Sequence, residues 1–211
     1  MYNFTLQIPT RIHFGKDTIS YLSELKEYGD KVLLVYGGGS IKKNGIYDTA
    51  MQLLKDAALK VFELSGVEPN PRIETVRKGV AICKEEGIDM VLAIGGGSTI
   101  DCSKVIAAGA KYDGDAWDLV LDATKIKAAL PIFDVLTLSA TGTEMDPFAV
   151  ISDLTKNEKW GTGSPYMVPT MSILNPEYTY SVSKKQTAAG TADMMSHTME
   201  NYFSMENADC Q

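Results

Sequence analysis

Two stretches of this sequence share one pattern, Gly37-Gly38-Gly39-Ser40 and Gly95-Gly96-Gly97-Ser98. Each follows a short apolar run, Val32 to Val35 in one case and Met90 to Ile94 in the other. Residues without Cβ let the backbone take positive φ and let a phosphate oxygen come close. A helix starting at such a turn offers unpaired N–H groups and the positive end of its dipole. The chemistry is phosphate binding without basic side chains. The second turn reads as a pyrophosphate cradle, with Ser98 capping the following helix and Asp101 in capping-box spacing. A tight strand-to-helix turn that needs glycine only for packing is the plainer alternative.

The first turn follows the strand that would lie at the adenosine end of a dinucleotide. Sites that prefer NAD often place a carboxylate after that strand, on the ribose 2′-hydroxyl. None follows here, and Lys42 and Lys43 do. That local charge suits a 2′-phosphate and favours NADP(H) over NAD(H); a solvated helix start is the competing account of the same lysines. A third stretch, Thr137-Leu138-Ser139-Ala140-Thr141-Gly142-Thr143-Glu144, leaves another strand end on the same side. Its hydroxyls can bind ribose or a carboxamide, or serve as ordinary turn chemistry.

Asp193 and His197 stand four apart on a predicted helix and so share one face. A carboxylate oxygen with an imidazole nitrogen suits zinc or ferrous iron. Such a pair alone is more often a surface hydrogen bond. The other histidine, His13, lies in the opening strands and reads as structural. The residues themselves name no third or fourth ligand.

Alternating elements must position these groups. Lys31 to Tyr36, Val61 to Leu64, Met90 to Ile94 and Phe133 to Leu138 read as strands. Ile46 to Ala58 and Ile73 to Cys83 show helical spacing, and Ile100 to Ala110 is apolar nearly all round apart from Lys104, as in a deeply sandwiched helix. Strand and helix in alternation predict an α/β, Rossmann-like, mostly parallel sheet with helices on both faces. Ligands in such sheets settle beyond the carboxyl ends of the strands, where the turns fall. From Lys184 the pattern is helical without strands. We expect an α/β dinucleotide-binding domain over 1–182 and the incomplete start of an all-helical metal and substrate domain over 183–211.

The chain has 211 residues, 45% hydrophobic and 22% charged, which is a globular balance. A formal net charge of -7 with no basic stripe argues against nucleic acid or an anionic membrane as the partner. Three cysteines, Cys83, Cys102 and Cys210, form no C-x-x-C pair, so reduced thiols in a cytoplasmic protein are expected. The opening, with Phe4, Leu6, Ile8, Ile12 and Phe14, reads as two short strands; it has neither the basic nor the apolar region of a signal peptide. No window approaches a membrane span.

Taken together, the motifs resemble the iron-containing (group III) alcohol dehydrogenase family, in particular its butanol dehydrogenase-like branch. The most specific pieces are Tyr36 to Ser40, Glu68-Pro69-Asn70-Pro71, Gly95 to Asp101 with Lys104, Leu136 to Glu144, Ala149-Val150-Ile151, and Asp193 through His197. The resemblance covers essentially the whole chain and raises the standing of the metal pair. It implies that Gly38 and Ser40 face the adenosine ribose, that Asn70 lines the cofactor cleft, and that Gly96, Gly97 and Ser98 hold the pyrophosphate. By the same resemblance Thr137 and Leu138 flank the adenine, Lys159 and Tyr178 complete the nucleotide site, and Asp193 and His197 are the first two metal ligands. Two further ligand histidines belong to a helical domain absent from these residues. Asp146 is a departure, because relatives often have Asn there.

The implied activity is reversible hydride transfer between NAD(P)H and a small primary alcohol or aldehyde, assisted by Fe²⁺ or Zn²⁺. Relatives pair as homodimers through their N-terminal strands, and Phe4 to Phe14 could do so, although a simple hairpin fits as well. With half the ligands missing, residues 1–211 alone should turn over little or nothing. Two rivals stay open: a dehydroquinate synthase-like NAD- and metal-dependent lyase, and an inactive nucleotide-binding fragment.

Overall fold

Runs of apolar residues without polar alternation make strands that need cover on both faces. β2 (Lys31–Tyr36) and β4 (Met90–Gly95) are such strands, with Val32 to Val35 and Met90 to Ile94 fully buried. In the computed structural model, which describes residues 7–203, they form the centre of a six-stranded sheet. Its other strands are β1 (Arg11–Phe14), β3 (Lys60–Leu64), β5 (Ile132–Leu136) and β8 (Met171–Leu174), in the order β1-β8-β5-β4-β2-β3. Every neighbouring pair is parallel. A separate antiparallel hairpin pairs β6 (Phe148–Asp153) with β7 (Glu158–Gly163).

The 3-10 helix Thr18–Tyr28, the short α1 (Ser40–Lys43) and α2 (Ile46–Asp56) cover one face, burying Leu22, Leu25, Ile41 and Leu54 against Leu34, Leu92 and Phe133. α3 (Ile73–Glu86), α4 (Gly97–Gly109) and α5 (Ala116–Leu121) cover the other, with Val76, Ile106 and Trp117 packed on Leu33 and Val91. Each such side chain contributes about 1.5–3 kcal/mol by leaving water. The strand order reverses direction between β2 and β4, so their carboxyl ends flank a crevice where α/β sheets bind ligands.

The predicted α/β architecture and the four predicted strands are present, with differences at the ends. β5 stops at Leu136 rather than Leu138, and Thr137 makes the last ladder bond, its N–H donating to the Gly95 carbonyl at 2.9 Å. α4 starts at Gly97, three residues before the periodic apolar pattern begins. The opening is described only from Gln7: Gln7 to Thr10 carries no strand, and β1 pairs in parallel with β8. Phe4 and Leu6, like Cys210, lie outside the described residues. His13 stacks on Tyr21 at 3.6 Å, a structural role. α6 (Lys184–Phe203) follows Ser183, whose Oγ accepts from the Gln186 N–H at 3.3 Å as a cap. No helix among the described residues is long and apolar enough to cross a membrane.

Candidate nucleotide and metal site

The parallel register sets Tyr36 opposite Ile94 and Gly95 opposite Leu136, so the chain leaves β2, β4 and β5 side by side at one edge of the sheet. All three predicted turns start there. Buried Thr99 lies under the two glycine turns, 2.5 Å from where a Cβ on Gly95 would stand and 3.9 Å from one on Gly37. Gly95 is therefore fixed by close packing.

The glycines of the second turn do not use positive φ, which corrects one part of the sequence reading. Gly96 has φ -93, and none of Gly95, Gly96 and Gly97 is in the left-handed region. A Cβ on Gly96 would press on Leu138 at 3.1 Å, whereas one on Gly97 would meet only Thr141 and Thr143 at ordinary distances of 3.4 and 3.7 Å. The protein itself does not require glycine at 97. The same holds for Gly38, which has nothing within 4 Å; Gly39 needs its φ of 97 to enter α1, where Ser40 is the first residue.

The capping box also gives way to a different arrangement. Gly96 is the N-cap residue of α4 and no side chain caps it. Ser98 Oγ instead accepts from the Asn70 N–H at 3.3 Å. Asp101 turns inward, accepting from Thr143 Oγ1 at 2.7 Å and from the Val150 N–H at 2.9 Å. Its burial pushes the carboxyl upward, against the two hydrogen bonds and Lys104. The N–H groups of Thr99 and Ile100 both donate to the Gly96 carbonyl, at 3.0 and 3.2 Å, which leaves those of Gly97 and Ser98 at the start of α4 for an anion.

Lys104 is fully buried, and its ammonium serves Thr143 Oγ1, the Asp146 carboxylate and carbonyl, and the Phe148 carbonyl, all at 2.8 to 2.9 Å. Asp146 also accepts from the Phe148 N–H at 2.8 Å. The Asp146 carboxylate is thus a strut joining the third turn to α4. Sequence reading marked Lys104 as an exception in an apolar helix and as part of a family motif, without a partner; a lone lysine inside an all-round apolar helix was the signal for one.

Asn70 sits at φ 54, a conformation Asn tolerates, and its side-chain oxygen accepts from Lys159 Nζ at 2.8 Å. The motif Glu68 to Pro71 ties this loop to the hairpin, since the Pro71 carbonyl accepts from the Ser152 N–H at 2.9 Å. Asn70, Arg72, Ser152, Asn157 and Lys159 line a cleft of about 380 Å³. A second hollow of about 220 Å³ lies at the ends of β5 and β8 between Leu136, Ser139, Glu144, Asn175 and Thr179. Tyr178, half-buried, packs on the α2 side of the sheet rather than beside Lys159.

Around the first turn, Lys42 Nζ lies over the rings of Tyr36 and Tyr47 at 5.0 and 4.4 Å. Both tyrosine hydroxyls donate to Glu63 of β3, at 2.7 and 3.0 Å. Glu63 was not anticipated, because its strand is separated from the turn in sequence and meets it only through the β2–β3 register.

Asp193 Oδ1 and His197 Nε2 stand 3.7 Å apart on α6, both substantially exposed. Gly190 lies on the same helical face, and a Cβ there would be 3.1 Å from the Ser139 carbonyl. The face carrying the pair therefore abuts the third turn. One carboxylate oxygen and one imidazole nitrogen fit part of a divalent-metal donor set. No cluster of three or more metal-ligating side chains occurs among the described residues.

Comparison with known proteins places this geometry. The iron-containing alcohol dehydrogenase family profile matches residues 9–176. The chain is 61% identical over 205 residues to NADH-dependent butanol dehydrogenase A of Clostridium acetobutylicum, covering 97% of this chain and 53% of that protein. It is 42% identical to the NADPH-dependent aldehyde reductase YqhD of Escherichia coli, covering 96% and 52%. A crystal structure of NADH-dependent butanol dehydrogenase A from Thermotoga maritima superposes with a TM-score of 0.93 at 47% identity, covering 96% of this chain and 52% of that one. The chain spans about half the length of the curated relatives it matches.

Proposed function

From the premise that the chain belongs to the iron-containing alcohol dehydrogenase family, we propose that it holds NAD(P)H for reversible hydride transfer with a small primary alcohol or aldehyde. The observation that carries this reading is the edge formed by three turns beyond β2, β4 and β5. Two of its glycines, Gly38 and Gly97, have room beside them that the protein leaves unfilled. When bound, the nicotinamide supplies the hydride and a divalent metal supplies Lewis acidity toward the substrate oxygen.

This chain's residues bind and orient. The N–H groups at Gly97 and Ser98 hold pyrophosphate at the start of α4. Gly38 and Ser40 lie at the adenosine ribose, and Thr137 and Leu138 flank the adenine. Asn70, Lys159 and Tyr178 line the remainder of the nucleotide site. Asp193 and His197 contribute two metal ligands, Fe²⁺ in the first instance given the family, with Zn²⁺ acceptable to the same donors. In this reading residues 1–182 form the nucleotide domain and 183–211 open a helical one.

Lys42 and Lys43 support acceptance of a 2′-phosphate and hence of NADPH. Lys42, however, is engaged by two tyrosine rings beside Glu63, and the two relatives at 61% identity are named as NADH-dependent. The proposal is NADH as the preferred nucleotide, with NADPH accepted, which reverses the preference drawn from the lysines alone. The edge position of β1, with exposed Ile8 and Phe14, supports pairing of two copies. A cytoplasmic setting accords with the buried thiols Cys83 and Cys102.

The test is butyraldehyde-dependent oxidation of NADH and NADPH by a protein that continues this sequence to the length of its relatives, with Fe²⁺ or Zn²⁺ supplied. Turnover with NADH above NADPH is expected, with little or none from residues 1–211 alone. Absence of aldehyde reduction in the longer protein contradicts the proposal.

A further inference from the structure

Asp134 lies in the middle of β5, between Ala93 of β4 and Ser172 of β8, and is 1% exposed. Its Oδ2 is 2.6 Å from Ser172 Oγ, and the same Oγ is 2.8 Å from the Glu144 carbonyl. Its Oδ1 has no hydrogen-bond partner among the described residues.

A serine hydroxyl carries one hydrogen, and a backbone carbonyl can only accept. The Ser172 hydrogen is therefore committed to Glu144, and the short contact with Asp134 needs a hydrogen from the carboxyl. Among the described residues no cation forms an ion pair with Asp134, and the nearby Lys104 is engaged elsewhere. The three hydrogens of Lys104 face four acceptors on Thr143, Asp146 and Phe148. A buried carboxyl without a partner charge takes up a proton rather than stay ionised. Burial pushes Asp134 well above the usual carboxylate range; the Glu144 charge adds to this, while Lys104 opposes it.

The relay from Asp134 through Ser172 ends on the third turn. That turn meets Gly96 through Leu138, Gly97 through Thr141 and Thr143, and Gly190 of α6 through the Ser139 carbonyl. It thus lies between the phosphate turn and the Asp193–His197 pair. We propose that Asp134, as a neutral acid, and Ser172 are positioning residues that fix the third turn and so the adenine and phosphate end of the nucleotide, which that turn borders. This rests on the nucleotide reading above.

The experiment compares Asp134→Asn, Asp134→Ala and Ser172→Ala in the full chain. Wild-type protein at neutral pH should show an infrared carboxylic-acid C=O band that Asp134→Asn removes. Asp134→Asn, whose amide still donates to Ser172, should bind NADH within about twofold of wild type, while Asp134→Ala and Ser172→Ala bind about tenfold more weakly. ADP-ribose, which keeps the adenine and the pyrophosphate, should weaken in the same order and by about the same factors. The stability given by the acid form is complete below the unfolded carboxyl value of about 3.9 and declines as pH rises toward the raised folded value. Asp134→Asn lacks that decline, so its melting temperature should gain on wild type as pH increases from 4. Lack of the C=O band in wild type, or its survival in Asp134→Asn, overturns the proposal. So does Asp134→Ala binding NADH or ADP-ribose like wild type. Failure of wild type to bind either ligand sinks the nucleotide reading instead, and the infrared and pH results still decide the state of Asp134.

Discussion

Lys159 donates to the Asn70 side-chain oxygen at 2.8 Å, closing a cleft wall between two residues 89 positions apart. One partner sits on a hairpin strand and the other holds a left-handed turn after β3, so the contact sets the distance between those walls. Lys159→Ala should leave the fold intact, because the side chain is exposed, and weaken NADH binding about fivefold, or roughly 1 kcal/mol. Unchanged NADH affinity by calorimetry would separate this pair from the cofactor cleft.

The glycines divide by what surrounds them. A Cβ on Gly95 would strike Thr99 at 2.5 and 2.8 Å, whereas one on Gly38 would meet nothing. Gly95→Ala should destabilise the protein by about 1–3 kcal/mol through overpacking. Gly38→Ala should melt like wild type yet bind nucleotide more weakly. Equal melting temperatures for the two variants would show that the packing at Gly95 is looser than the structure has it.

This division was only partly legible in the sequence. The strand runs, the glycine turns and the i, i+4 pair on α6 follow from local composition and spacing, and as structural features they appear where expected. What spacing cannot show is long-range partnership. Asp101 has the spacing of a capping residue, yet its carboxylate binds Thr143 and Val150, more than forty residues away. Glu63 reaches the first turn only because β3 pairs with β2. The β6–β7 hairpin and β8 were missed as elements because β6 ends in polar residues, β7 mixes charges with Gly161 and Gly163 in place of an apolar run, and β8 has only four residues. For the same reason Ser172 carried no signal.

Lys104 and Asp146 differ in what their loss exposes. Lys104→Met removes every bond to the buried ammonium and leaves its acceptors unpaired, which should cost about 3–5 kcal/mol. Asp146→Asn keeps an oxygen for Lys104 and for the Phe148 N–H, and half of that strut is exposed to solvent screening, so the cost should stay under about 1 kcal/mol. Denaturant unfolding of the two variants checks the ordering; equal losses would contradict it.

Burial pushes the Cys83 thiol up to about 12 and Cys102 higher still. At pH 8 neither supplies the thiolate that reacts with disulfide reagents. In a Cys210→Ser background, folded protein should label with Ellman's reagent only at the rate of unfolding, and both thiols should react at once in denaturant. Rapid stoichiometric labelling of folded protein would contradict the buried placement of these cysteines.

The central claim is that the open start of α4 receives the nucleotide's phosphates, and Gly97→Ala tests it most directly. A methyl group there meets only Thr141 and Thr143 at ordinary distance, so the fold should tolerate it. Titration of NADH into the chain, read by calorimetry, should give saturable binding that Gly97→Ala weakens at least about tenfold, or 1.4 kcal/mol, while His197→Ala leaves it nearly unchanged. Wild-type affinity in Gly97→Ala, or no saturable binding in the wild type, would contradict the account.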